Sequence, residues 1–106
     1  MVVHAWEEGV REILERDLEL EPLLQKVARR APEKDVEPRD ARLAVAAAEC
    51  VAAAAGRPAA NPPDPLIQWI VKHPDGPPVP LMTAAIKALD RLGAGYDDLR
   101  ARLHGR

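Results

Sequence analysis

Apolar residues recur at a helical interval along most of this chain, and prolines cut the pattern into pieces. From about Ala5 to Glu21, Trp6, Val10, Ile13, Leu14 and Leu20 fall on one side of a repeat of about 3.6 residues. Glu8, Glu12, Glu15 and Glu19 fall in a narrow arc on the other side. Asp17 projects onto the apolar side, so the helix is expected to end or kink there, or else to bury Asp17 against an arginine or a helix N-terminus. A second helix opens at Pro22 and runs to about Ala31 on Leu20, Leu24 and Val27; a single helix kinked at Pro22 is the alternative. Ala31 to Glu37, between Pro32 and Pro38, is a charged connector.

The third piece, about Pro38 to Ala55, is the clearest. Pro38 suits a first turn, Asp40 places an acid near the positive end of the helix dipole, and Gly56 with Pro58 beyond it is a stop signal. Leu43, Ala47, Cys50, Val51 and Ala54 form one stripe, yet the opposite side (Val45, Ala48, Ala52) is also uncharged except for Glu49. A helix apolar nearly all round must be covered on most sides, which makes this the central one. After a stiff connector from Arg57, Asp64 as N-cap and Pro65 in the first turn start a helix to about Lys72, with Leu66, Trp69 and Ile70 inward. His73 to Val79 is a rigid loop. Pro80 opens a fifth helix through about Leu92, stopped by Gly93 and Gly95, and Tyr96 to His104 forms a last one on Tyr96, Leu99 and Leu103. No piece shows the alternation of a strand. The expected fold is all-α, an irregular bundle of five or six short helices around a central Ala-rich helix, with residues 1–106 as a single helical domain.

Composition narrows the chemistry more than the fold. At 47% hydrophobic and 30% charged residues the chain has globular composition. Fifteen Lys and Arg against 17 Asp and Glu is too even a balance to predict nucleic-acid binding. There is no Ser, and Thr83 is the one Thr, with no His near it in sequence, so triad chemistry has no nucleophile to work with. Cys50 alone permits no internal disulfide and reads as a buried, reduced thiol. His4, His73 and His104 lack metal-ligand spacing, so no metal and no cofactor are expected. The first residues form no signal peptide and no stretch is long enough to span a membrane; the expected location is the cytoplasm.

Binding is the remaining class. The first 21 residues carry seven acids against two arginines. Glu8, Glu12, Glu15 and Glu19 are therefore read as a face that steers a basic protein partner, with Trp6 as an anchor, against the plainer reading of a solvated helix surface. An immunity-type protein that neutralises a toxin, or an escort for a basic partner, fits this reading. Two rivals stand beside it: a homodimer formed through the apolar helices or Trp69, and an enzyme using Asp17 or Glu49 as a buried acid. Glu49 is the sole charge between Arg42 and Arg57, and its plainer role is to pair with an arginine from a neighbouring helix.

From Asp40 through Leu92 the chain also resembles a family of small bacterial proteins catalogued as domain of unknown function forty-two fifty-nine. Ala46-Ala47-Ala48-Glu49-Cys50-Val51-Ala52-Ala53, Gly56-Arg57-Pro58, the short helix with Leu66, Trp69 and Ile70, and Ala88-Leu89-Asp90-Arg91 carry the likeness. Trp6 and Gly9 echo the family's opening Gly/Trp turn, whereas its acidic, aromatic tail is missing. The resemblance implies a helical fold without assigned enzymatic activity, and points to Glu49 and Arg57 as structural or binding positions.

Overall fold

The piece with apolar residues on every side forms the longest helix, α3 (Pro38–Ala54), in a computed structural model that describes residues 5–31, 33–93 and 95–105. Its start follows from Pro38 in the first turn, where a missing N–H costs nothing. Its end follows from Gly56. At φ 87°, Gly56 turns the chain left-handed, so that its own N–H donates to Ala53 O at 3.0 Å and that of Arg57 to Ala52 O at 2.9 Å. This pair of bonds is the Schellman closure, which satisfies carbonyls that the helix itself leaves unpaired.

Five helices surround it: α1 (Ala5–Arg16), α2 (Leu20–Ala28), α4 (Asp64–Lys72), α5 (Val79–Leu92) and α6 (Asp97–His104). Every one of them packs on α3. In addition α1 meets α4, α2 meets α5, and α5 meets α6. Accordingly α3 is buried from Leu43 to Ala53 at every position except Val45, which is half-buried. Val10 and Ile13 of α1, Leu24 and Val27 of α2, Leu66 of α4, Leu89 of α5 and Leu103 of α6 close one cluster around it. The radius of gyration, 12.6 Å, matches the ~13 Å of a compact chain this long. No strand occurs among the described residues.

Small residues set how closely the helices approach. A β-carbon built on Gly9, in the middle of α1, would lie 2.6 Å from Ala46 Cβ and 3.0 Å from Arg42 O of α3. Alanine along α3 keeps high helix propensity while leaving room for this contact.

The boundaries differ from the sequence pattern in instructive ways. The first helix does not run to Glu21; it ends at Arg16, because Asp17 adopts φ 51°. Leu18 N–H then donates to Ile13 O at 3.0 Å and Asp17 N–H to Leu14 O at 3.4 Å, the same closure as at Gly56 but built on an aspartate. Asp17 is exposed, so of the two expectations the break holds and the burial does not. The second helix is separate, and starts at Leu20 rather than Pro22. A proline fits there because the first turn has unpaired N–H groups to spare. It stops at Ala28, where Arg91 of α5 takes over: its guanidinium donates to Arg30 O (3.1 Å), Ala31 O (3.0 Å) and Lys34 O. The N-cap of α4 is Pro63, not Asp64, which becomes the acid of the first turn; a shift of one residue lies within the ordinary spread of helix ends. Pro32 and His4 lie outside the described residues.

Candidate functional site

Three places in this fold gather polar side chains with unusual settings, and the sequence singled out residues in each.

The first is the outer face of α1. Glu8 and Glu15 are exposed there, and Glu12 is half-buried. Glu19 is not part of this line: the break at Asp17 removes it from α1 and makes it the N-cap of α2. The acids are also less alone than the sequence of α1 implies, because α3 lies alongside. Arg39 Nη2 donates to Glu12 Oε2 at 3.1 Å, and Arg16 stands 4.0 Å from the other oxygen. A cavity of about 340 Å³ is lined by Glu8, Glu12 and Glu15 together with Arg11, Arg16 and Arg42. Trp6 is half-buried against the core, at the edge of a cleft it shares with Val45, Glu49, Tyr96 and Arg102.

The second is Glu49, buried to 3% exposure on α3. Its Oε1 lies 2.8 Å from Arg102 Nη2 of α6. The same guanidinium donates from Nε to Asp98 Oδ2 at 3.0 Å and from Nη1 to Arg57 O at 3.3 Å. Arg57 returns the contact, donating from Nη1 to Arg102 O at 3.0 Å. Arg57 is the residue just past the left-handed Gly56, so the closure of α3 is what aims it at the end of α6. Glu49 and Arg57 thus hold α6 on α3, in the arrangement expected of a lone helix carboxylate. Next to it Cys50 is fully buried, and burial, with the Glu49 carboxylate second, pushes its thiol far above the ordinary 9.0. A thiol held protonated in this way is not a nucleophile.

The third is a groove of about 390 Å³ between the α1–α2 elbow and the loop joining α4 to α5. Leu18, Leu20, Ala54, Trp69 and Leu81 supply apolar lining, and Pro77 and Pro78 a stiff wall. Asp17, Glu19 and Asp75, all exposed, supply the charge. His73 stacks on Trp69 with centroids 4.3 Å apart and an interplanar angle of 16°. Its Nδ1 lies 2.9 Å from Trp69 O; a carbonyl only accepts, so Nδ1 carries the hydrogen. Sequence reasoning missed this groove. It marked Asp17 as a misfit and His73 to Val79 as rigid, but nothing local says that these segments meet.

Among the described residues, no group of three or more His, Cys, Asp or Glu is placed to hold a metal ion, and no helix is long and apolar enough to cross a membrane.

The molecule is a small all-helical bundle with charged clefts at its helix junctions. The family model described as a domain of unknown function (DUF4259) matches residues 6–101, and the chain belongs to that family. The match extends beyond Asp40–Leu92, the stretch that carries the resemblance in sequence, to include α1 and most of α6. No curated protein and no solved structure matches the chain.

Proposed function

We propose that this protein is a non-catalytic binding protein whose partner is a basic protein, acting in the bacterial cytoplasm as an immunity-type neutraliser or an escort. The observation that carries the reading is the run of exposed carboxylates from Glu8 and Glu15 on α1 to Asp17 and Glu19 at the elbow. Such a run raises the rate of encounter with a positively charged surface and disfavours acidic ones. Glu12 sits in the same face, partly neutralised by Arg39, while Trp6, half-buried in the separate cleft beside Glu49 and Arg102, offers an apolar contact away from it. The buried groups that an enzyme would recruit have other occupations in this reading: Glu49 holds Arg102, and Cys50 keeps its proton.

Capture of partners by the tagged protein from its native lysate tests the reading, beside a variant with Glu8, Glu12, Glu15 and Glu19 all changed to Gln. One stoichiometric basic partner, lost or weakened in the variant, is expected. No partner, or an acidic one, overturns it.

Self-association is a second reading with an observation of its own. Ile67 and Val71 stand one turn apart on α4 and are 45% and 74% exposed. A single monomer mass by sedimentation, unchanged over a hundredfold concentration range, removes it.

A further inference from the structure

We propose that the groove between the α1–α2 elbow and the α4–α5 loop is the docking site for a basic segment of the partner protein, one presenting a Lys or Arg beside an apolar side chain. The inference rests on the binding reading above and moves its central contact from the face of α1 to this groove.

Charge is balanced differently in this groove than in the other clefts. In the cavity on α1, Arg11, Arg16 and Arg42 accompany the glutamates. Where α1 meets α4, Arg11 accompanies Glu15 and Asp64. In the cleft beside Trp6, Arg102 accompanies Glu49 and Asp98. The elbow groove alone of these four has three carboxylates, Asp17, Glu19 and Asp75, and no Lys or Arg in its lining. A Lys or Arg brought by a partner therefore meets three carboxylates there with no resident arginine to displace. The floor sets the rest of the partner's chemistry, because Leu18, Leu81 and the edge of Trp69 offer apolar surface between the acids. A volume of about 390 Å³ takes one or two large side chains, at the small end of ordinary ligand pockets.

The rim is also largely fixed before anything binds. Asp17 is held by the closure that ends α1, Glu19 is the N-cap of α2, and Asp75 follows Pro74 and precedes Gly76-Pro77-Pro78. Little ordering remains to oppose binding. His73 does not supply the missing positive donor toward the acids through Nδ1, since that hydrogen goes to Trp69 O.

The test uses the full chain and a fluorescent hexapeptide of alternating Leu and Arg, read by anisotropy, with all-Arg and alternating Leu and Glu hexapeptides as comparisons. Saturable one-site binding of the Leu/Arg peptide is expected, shifting the NMR signals of the Trp69 indole and the Leu81 methyls. Asp17→Asn/Glu19→Gln/Asp75→Asn weakens it about tenfold, the combined effect of three exposed ion pairs. Asp75→Lys alone, in an exposed loop, weakens it in the same direction without touching the elbow. Glu8→Gln/Glu15→Gln changes it less than about twofold, within the range of a distant surface charge. Loss in the Glu8/Glu15 variant with full binding in the groove variant overturns the groove and leaves the basic-partner reading standing. All-Arg binding as tight as Leu/Arg, or no saturable binding, also overturns the groove. Preference for the Leu/Glu peptide overturns both.

Discussion

Replacing Gly9 by alanine sets two effects of known size against each other. Helix propensity favours the change: glycine inside a helix is about 1 kcal/mol worse than alanine. Packing opposes it. The new β-carbon would sit 2.6 Å from Ala46 Cβ and 3.0 Å from Arg42 O. Carbon–carbon contacts settle at about 3.5–4.0 Å, so roughly 1 Å must be recovered. Neither neighbour is the end of a flexible side chain. One is the first carbon of a side chain and the other is backbone, so the room comes only from moving α1 away from α3, with Val10 and Ile13 drawn off the core as well. Forced overpacking of this kind costs about 1–3 kcal/mol. Because no rotamer can absorb it, the upper half of that range applies, and Gly9→Ala is expected to destabilise by about 1–2 kcal/mol net. Urea unfolding reads this as a lower midpoint with unchanged slope, and heat as a Tm lower by roughly 5–15 °C. Ala46→Gly in the same chain returns part of the space, so the double variant loses less than the two single losses added together. A higher midpoint for Gly9→Ala, or strict additivity in the cycle, refutes the packing argument.

Three further outcomes follow from features of the fold. Asp17→Gly relieves a left-handed aspartate and raises stability by about 0.5 kcal/mol, whereas Gly56→Ala, at φ 87° in open space, lowers it by about 1 kcal/mol; equal signs in urea unfolding would contradict the shared closure. Glu49→Gln removes the charge opposite the partly exposed Arg102, which keeps Asp98 and Arg57 O, and costs about 1.5–2 kcal/mol, the loss of a charge-assisted hydrogen bond; Glu49→Leu/Arg102→Met costs less than Arg102→Met and Glu49→Leu summed, as a double-mutant cycle by chemical unfolding checks. Cys50 keeps its proton when folded but loses it above about pH 9 when unfolded, so each further pH unit lowers stability by about 1.4 kcal/mol through this group; Cys50→Ala shows a flatter alkaline decline, and equal slopes would contradict the burial argument.

Much of the architecture was legible because it is written locally. Prolines mark first turns, Gly56 marks a stop, and the absence of charge around Leu43–Ala54 requires neighbours on every side of α3. The burial of Cys50 followed from its place on the apolar stripe, and the pairing of Glu49 with an arginine from its being the sole charge between Arg42 and Arg57. Which arginine was not legible, since Arg102 lies far along the chain and only the docking of α6 brings it near. The line of four glutamates was overextended for a local reason: the apolar spacing that ends on Leu20 continues past Asp17 although the helix does not. Its electrostatics depended on α3 as well, because Arg39 and Arg42 lie beside α1 only after the two helices pack. The elbow groove is built from the ends of four elements, none of which carries its pattern alone.

Two buried leucines, Leu99 and Leu103, and a set of guanidinium contacts fasten α6 to the rest of the bundle. Arg100 reaches Asp90, Asp97 and the carbonyls of Leu89 and Gly93, while Arg102 reaches Glu49 and Asp98. Exposed members of such a network weaken as ionic strength rises, whereas the alanine packing around α3 does not. The amides of α6 are therefore expected to exchange with solvent deuterium earlier than those of α3, through a partial opening that salt accelerates and that leaves the rest of the helices docked. Guanidinium chloride, a salt as well as a denaturant, is expected to release this end of the molecule ahead of the core, and urea to separate the two events less.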